Sequence, residues 1–258
     1  MLFYIIFLLL IVFAIIIMIY VWRNPTIAFI PYNYFISLVT KKRVFYDQEE
    51  KVNIFPLSKT LEENYLSIRE EALNVYKYIQ GNVAKAFINQ SDEFYKDWKT
   101  FPLRMFGHDV QANLGLCPRL AELLKNHDEV PTAFFSLMAP RKHLAAHYGP
   151  FKGILRYHLS LLIPPAESGD CFISVDDIHY YWKEGEGKLF DETYLHYVEN
   201  NTDYPRIILF LDVKRPFLTP FMNMINNFIL MVIGLSPHNQ KVVKSYSDQL
   251  LNKLSQSL

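Results

Sequence analysis

From Leu2 to Trp22 the chain runs 21 residues without a charge, "LFYIIFLLLIVFAIIIMIYVW". At about 1.5 Å of rise per residue, a helix of this length would be roughly 31 Å long, enough to cross the hydrocarbon core of a bilayer. The run has none of the marks of a cleaved signal, which would show a basic start, a shorter apolar centre and small residues at the cut. It therefore predicts a transmembrane anchor over residues 1–23, and the rest of the fold has to be built beside a membrane. Arg23, Lys41, Lys42 and Arg43 follow the run and no basic residue precedes it. That asymmetry predicts a single-pass anchor with the remaining chain cytoplasmic, which in a bacterial cell would mean the inner membrane.

Beyond the anchor, the 258 residues carry 26 basic and 26 acidic side chains, a balance that gives no sign of a nucleic-acid partner. Cys117 and Cys171 are far apart and in no CxxC pattern, which speaks against a disulfide framework and for a reducing compartment. Residues 24–57 hold Pro25, Pro31 and Pro56 among aromatics with no sustained period and read as a membrane-proximal connector. Thr60 and Glu63 form a capping-box pattern, and Leu61, Tyr65, Ile68, Ala72, Val75, Tyr76 and Ile79 then recur at helical spacing until Gly81. Pro118 before "RLAELLKN" predicts a second, short helix.

From about residue 132 the pattern turns to strand-like runs: "TAFFSLMA", "GILRYHLSLLI", "CFISV", "GKLF", "LHYV" and "RIILFLDV". With no long helical pattern between them, these predict an antiparallel barrel or jelly roll, so that 58–216 reads as a mainly β domain with flanking helices. Residues 217–258 form an apolar or amphipathic tail. Pro220, Asn223, Asn226, Asn227 and Gly234 interrupt it, which predicts a membrane-associated helix at the interface rather than a second span. Lys241, Lys244 and Lys253 would then lie beside an anionic leaflet.

In "GILRYHLSLLI", strand alternation places Leu155, Tyr157, Leu159, Leu161 and Ile163 on one face and Ile154, Arg156, His158 and Ser160 on the other. A polar outer face washed by solvent is the ordinary explanation of such a strand. Its company points to chemistry instead: Ser136 on one strand, His147 in the next turn, His196 near another strand, and Arg206 opening the last. Two histidines distant in sequence can meet on adjacent strands, and imidazole suits iron. His108, His127, His143, His179 and His238 have no comparable context.

The segments "FFSLMAPRKHLAAHYGPFKGILRYHLSLLIP" and "GKLFDETYLHYVENNTDYPRIILFLDVKRP" resemble the aspartyl/asparaginyl β-hydroxylase family of iron(II)/2-oxoglutarate-dependent dioxygenases, over roughly residues 98–217. With "NLGLCPRLAELLKN" and the N-terminal apolar run, the likeness is greatest to its bacterial lipid A hydroxylase branch. The resemblance implies a double-stranded β-helix core that uses iron(II), 2-oxoglutarate and O2. It makes His147 and His196 the iron ligands. It sets Ser136 and Arg206 on the distal carboxylate of 2-oxoglutarate, and Arg156 and His158 near the other end of that cosubstrate. Guanidinium offers a planar fork to a carboxylate, and a serine hydroxyl completes the grip.

Most such oxygenases carry Asp or Glu two residues after the first histidine, where this chain has Gly149. The family resembled also has glycine there, and uses a carboxylate just before the second histidine to hold a water. The matching position is Glu192, with Asp191 as its neighbour. The implied reaction couples oxidative decarboxylation of 2-oxoglutarate to hydroxylation of an unactivated C–H. On this resemblance the target is C2 of a secondary acyl chain of lipid A at the cytoplasmic face. Two other functions stay open: hydroxylation of Asp or Asn in a protein, and a membrane-anchored jelly-roll binding module without turnover.

Overall fold

The computed structural model describes residues 29–78, 98–165, 167 and 169–255. The run from Leu2 to Trp22 lies outside them. Four short helices come first, α1 (Ile30–Val39), α2 (Gln48–Ile54), α3 (Leu57–Glu63) and α4 (Tyr65–Asn74), and a single 3₁₀ turn (Tyr76–Tyr78) follows. The strands β1 (Trp98–Met105) and β2 (His108–Asp109) lead to α5 (Gln111–Leu114) and α6 (Pro118–Leu124). Then come β3 (Thr132–Met138), β4 (Lys142–His147), β5 (Ile154–Leu162), β6 (Cys171–Val175), β7 (Ile178–Tyr181), β8 (Gly187–Phe190), β9 (His196–Asn200) and β10 (Arg206–Lys214). Helices α7 (Pro220–Leu235) and α8 (Pro237–Ser255) close the described chain.

The strands form two sheets, one in the order β2-β1-β3-β10-β5-β8 and one in the order β4-β9-β6-β7. Every pairing is antiparallel, as the strand runs and short turns predict. The expected architecture is nevertheless corrected. The described residues do not form a mainly β, closed double-stranded β-helix; helix makes up 40% and strand 30% of them, in a mixed α/β fold with open sheets, and the expected N-terminal span lies outside them. The physical reason lies in the six-stranded sheet, which is buried on both faces. Ile207, Leu209, Leu211 and Val213 of β10, with Phe135 of β3 and Leu159 of β5, pack against Leu61, Ile68, Ala72 and Leu120 of the helices. The opposite face, with Ile208 and Phe210 of β10 and Phe134 of β3, meets Leu144, Ile173, Val175 and Val198 of the smaller sheet. A strand buried on both sides shows no alternation, which is why "RIILFLDV" reads as a continuous apolar run. Each fully buried Leu or Phe here contributes roughly 1.5–3 kcal/mol.

The helix expected from Thr60 to Gly81 divides at Asn64. Its backbone N–H is shared between the carbonyls of Thr60 (3.1 Å) and Leu61 (3.2 Å), and its side chain takes two hydrogen bonds from Arg119. Asparagine competes with the helix in this way wherever a partner holds it. A complete capping box is present, at Asp47 and Glu50 before α2, while Thr60 lies exposed inside α3. Of the apolar positions read from the helical spacing, Leu61, Ile68, Ala72 and Val75 are buried and Tyr65 packs partly against the core, whereas Tyr76 is exposed. Ile79 and Gly81 lie outside the described residues.

Among the described residues no single helix is long and apolar enough to cross a membrane. Helices α7 and α8 together have the length and composition, but they are bent by 60° at their junction. Helix α8 gives its apolar side to the protein: Leu250 belongs to the core, and Val242, Val243 and Tyr246 pack against it.

Candidate active site

The site lies between the two sheets. On β4 the pairing with β9 slips by a residue between Leu144 and His147, and the slip sets His147 opposite His196. Their rings lie 4.1 Å apart between centroids, and both side chains are buried. The two are held alike, with Nδ1 2.8 Å from the Ala145 carbonyl in one and 2.9 Å from the Tyr194 carbonyl in the other. A carbonyl oxygen only accepts, so each Nδ1 carries the proton and each neutral ring has its lone pair on Nε2. Burial lowers both pKa values, that of His196 to about 3 with His147 adding to the effect, so both imidazoles are neutral near pH 7. Backbone carbonyls behind Nδ1 are the usual means of aiming a metal-binding Nε2.

Two residues beyond His147 stands Gly149, whose amide N–H donates to the Glu192 carbonyl at 2.8 Å. A Cβ at Gly149 would come within 2.7 Å of Glu192 Oε1, so the Glu192 carboxyl fills the space that a side chain at 149 would need. Glu192 is ion-paired with Arg156, which lies over the Phe210 ring at 3.8 Å and donates from Nε to Asp212 at 2.9 Å. Burial pushes the Glu192 carboxyl up to about 7 despite the Arg156 guanidinium. Asp191 is committed elsewhere: Oδ2 meets Arg215 at 2.6 Å and Lys152 at 3.3 Å, and Oδ1 accepts from the backbone and hydroxyl of Thr193.

Toward the other end of the inter-sheet space, Ser136 Oγ accepts from Trp98 Nε1 at 2.8 Å and from Arg206 Nη2 at 3.1 Å. Arg206 lies over the Trp182 ring at 4.7 Å and is 2% exposed. Among the described residues it has no ion pair, and its Nε has no hydrogen-bond partner. Burial lowers its pKa to about 10. His158, two positions from Arg156 on the same face of β5, packs among Phe190, Phe210 and Trp182 with both ring nitrogens unpartnered. Trp182 Nε1 and Ser160 Oγ share that condition. A buried polar atom left unpaired costs about 1–3 kcal/mol. Four such atoms beside a guanidinium without an ion pair are the chemistry of a place for a carboxylate-bearing molecule.

The structure thus brings six of the residues singled out from the sequence, Ser136, His147, Arg156, His158, His196 and Arg206, onto the facing strands of the two sheets, and places Glu192 in the turn before β9, ion-paired with Arg156. Among the described residues no group of three or more His, Cys, Asp or Glu could hold a metal, so any ion there would rest on the two imidazoles alone. Sequence reasoning missed Trp98, Trp182 and Asp212. The first lies on a strand that Pro102 obscures, and the other two were hidden because nothing in their neighbours distinguishes them from core or turn residues.

A sequence profile described as "Aspartyl/Asparaginyl beta-hydroxylase" matches residues 62–216, more than half of the chain. The chain belongs to the aspartyl/asparaginyl β-hydroxylase family. It is 32% identical over 207 residues to an ornithine lipid ester-linked acyl 2-hydroxylase of Rhizobium tropici, covering 75% of this chain and 72% of that protein. It is 30% identical over 171 residues to the aspartyl/asparaginyl beta-hydroxylase of Mus musculus, covering 64% of this chain but only 22% of that protein. Among solved structures, a Pseudomonas putida prolyl-4-hydroxylase aligns over 60% of this chain and 88% of its own, with 12% identity and a TM-score of 0.39. That last likeness is too slight to carry an argument. Within the family, no comparison singles out a lipid A branch.

Proposed function

We propose that this member of the family is an iron(II)- and 2-oxoglutarate-dependent hydroxylase. The observation that carries the reading is that two Nε2-directed imidazoles and a buried guanidinium without an ion pair face each other's sheets: His147 opposite His196, and Arg206 with Ser136 beside unpartnered polar atoms of Trp182, His158 and Ser160. His147 and His196 would hold the iron, and the Arg206 and Ser136 pair would take a carboxylate of 2-oxoglutarate. The bound ion and cosubstrate supply O2 activation and the oxidative decarboxylation that drives hydroxylation. The chain's own part is to orient these groups, keep both imidazoles unprotonated, and hold the Glu192 carboxylate through Arg156 next to His147.

Lipid A, the substrate expected from the sequence, gains no support of its own. The family match and the animal relatives back aspartyl or asparaginyl side chains better than lipid A. A different lipid substrate has the relative spanning most of the chain on its side: an ester-linked acyl chain, hydroxylated at C2. We take that as the first reading and protein hydroxylation as the second.

The test measures succinate release by the purified full chain with iron(II) and 2-oxoglutarate. Ester-linked acyl lipids, lipid A and Asp/Asn-containing peptides are offered in turn, with products weighed by mass spectrometry. A mass gain of one oxygen on the acyl lipid supports the first reading. A gain on the peptide alone replaces it with the second, and no succinate under any condition removes the enzyme reading.

A further inference from the structure

Two helices turn their apolar sides outward. On α7, Phe221, Met224, Phe228, Met231 and Leu235 recur three or four residues apart and are all more than half exposed, while the buried positions are Asn226 and Gly234. Asn226 donates to the Gly153 carbonyl at 2.8 Å and accepts from the Tyr32 hydroxyl at 2.9 Å. Helix α1 repeats the arrangement. Asn33 donates to the Pro150 carbonyl and accepts from the Lys152 amide, leaving Tyr34, Phe35 and Leu38 exposed. In a water-facing helix the polar and apolar sides would be exchanged.

The two helices share one setting. The Tyr32 to Asn226 hydrogen bond joins them, and both grip the loop from Gly149 to Gly153, whose first residue lies two beyond His147. Tyr148, between His147 and that loop, is 64% exposed. Neither helix carries a charge, since residues 24–40 and 216–240 contain no Asp, Glu, Lys or Arg.

We propose that the outward faces of α1 and α7 together lie in the interface of a lipid bilayer and set the His147 loop against it. Two observations choose a bilayer over a protein as the occupant. Seven residues separate the charge-free run from Leu2 to Trp22 from the start of α1, so the chain that feeds this face is itself suited to lipid. Exposed Lys41 follows α1 and its C-cap Thr40, and exposed Lys241 and Lys244 follow α7, where anionic headgroups would meet them. The proposal deepens the acyl-lipid reading and rests on it for its purpose, but its test is separate.

The native cysteines are both buried, so single cysteines can be placed for labelling in the full chain: Phe35→Cys, Phe228→Cys and, as a control on the exposed side of α4, Leu66→Cys. Each carries an environment-sensitive fluorophore after reconstitution into phosphatidylcholine and phosphatidylglycerol vesicles. The labels at 35 and 228 should shift to the blue, be quenched by nitroxide-bearing lipids and lose quenching by aqueous iodide, while the label at 66 stays open to iodide. Labels at 35 and 228 as open to iodide as that at 66 would overturn the proposal. Shielding from iodide without quenching by nitroxide lipid would also overturn it, and would assign the face to a second copy or another protein. If the labels enter lipid but no acyl chain gains oxygen, the docking face stands and the acyl reading falls.

Discussion

The carboxyl of Glu192 occupies the volume that a side chain at Gly149 would fill, and the Gly149 amide is tied to the Glu192 carbonyl at 2.8 Å. A carboxylate therefore reaches the neighbourhood of His147 from the turn before β9 and not from the strand that carries the histidine. Gly149→Ala should displace Glu192 from its place beside Arg156, at a cost of about 1–3 kcal/mol by overpacking. Because the clash is with one side chain, Gly149→Ala combined with Glu192→Gly should be less destabilised than the sum of the two single variants. Denaturant unfolding of all four proteins measures that coupling.

Adjacent acids should give opposite phenotypes. Asp191 holds Arg215, Lys152 and Thr193, so Asp191→Asn breaks a buried pair and should lower stability by about 3–5 kcal/mol. Glu192→Gln leaves Arg156 its second partner, Asp212, so the loss of stability should be smaller and the loss of succinate formation larger. Melting curves beside a turnover assay separate the two effects.

Much of this site was legible in the sequence, because alternation is a property of the backbone. Leu155, Tyr157, Leu159 and Leu161 do face the helices, while Arg156, His158 and Ser160 face the smaller sheet. Only Ile163, past the end of β5, falls on the other side and packs against the inter-sheet cluster. What the alternation did not reveal is that the polar face is buried, since a covering sheet is a long-range fact. Strand β4 was missed because its slip before His147 breaks the period of two, and β7 because its exposed "IHYY" has no apolar face. The choice between Asp191 and Glu192 lay beyond reach for a similar reason: it depends on Arg215 and Gly149, which contact those acids only in the folded chain.

The two cysteines should be inert. Burial raises the Cys117 thiol well above its ordinary value and that of Cys171 to about 11, so almost no thiolate exists at pH 8. A thiol-specific reagent should find no reactive group in the native protein and two after denaturation. Rapid native labelling of either would contradict their burial.

Metal binding should depend on both imidazoles equally. Iron(II), or redox-silent manganese(II) in its place, should raise the melting temperature of the wild type. At 100 times the dissociation constant, the gain is about 2.7 kcal/mol. His147→Ala and His196→Ala should each abolish the shift, because with one histidine gone no third side chain of the described site replaces it. A shift retained in either variant would place the ion elsewhere.

Arg206 offers a sharper test, because its effects on stability and on binding should have opposite signs. The guanidinium is buried over Trp182 with one hydrogen bond to Ser136 and, among the described residues, no carboxylate. Without ligand it is a desolvated charge, and replacing such a charge with an apolar side chain of similar length is often stabilising by about 1–4 kcal/mol. Arg206→Met should therefore melt higher than the wild type in the absence of 2-oxoglutarate. Adding 2-oxoglutarate with manganese(II) should raise the wild-type melting temperature further and leave that of Arg206→Met at its value with metal alone, since the variant has lost the fork that grips a carboxylate. A purely structural arginine would show the reverse of the first result and nothing of the second, so two melting curves with and without cosubstrate decide between the roles.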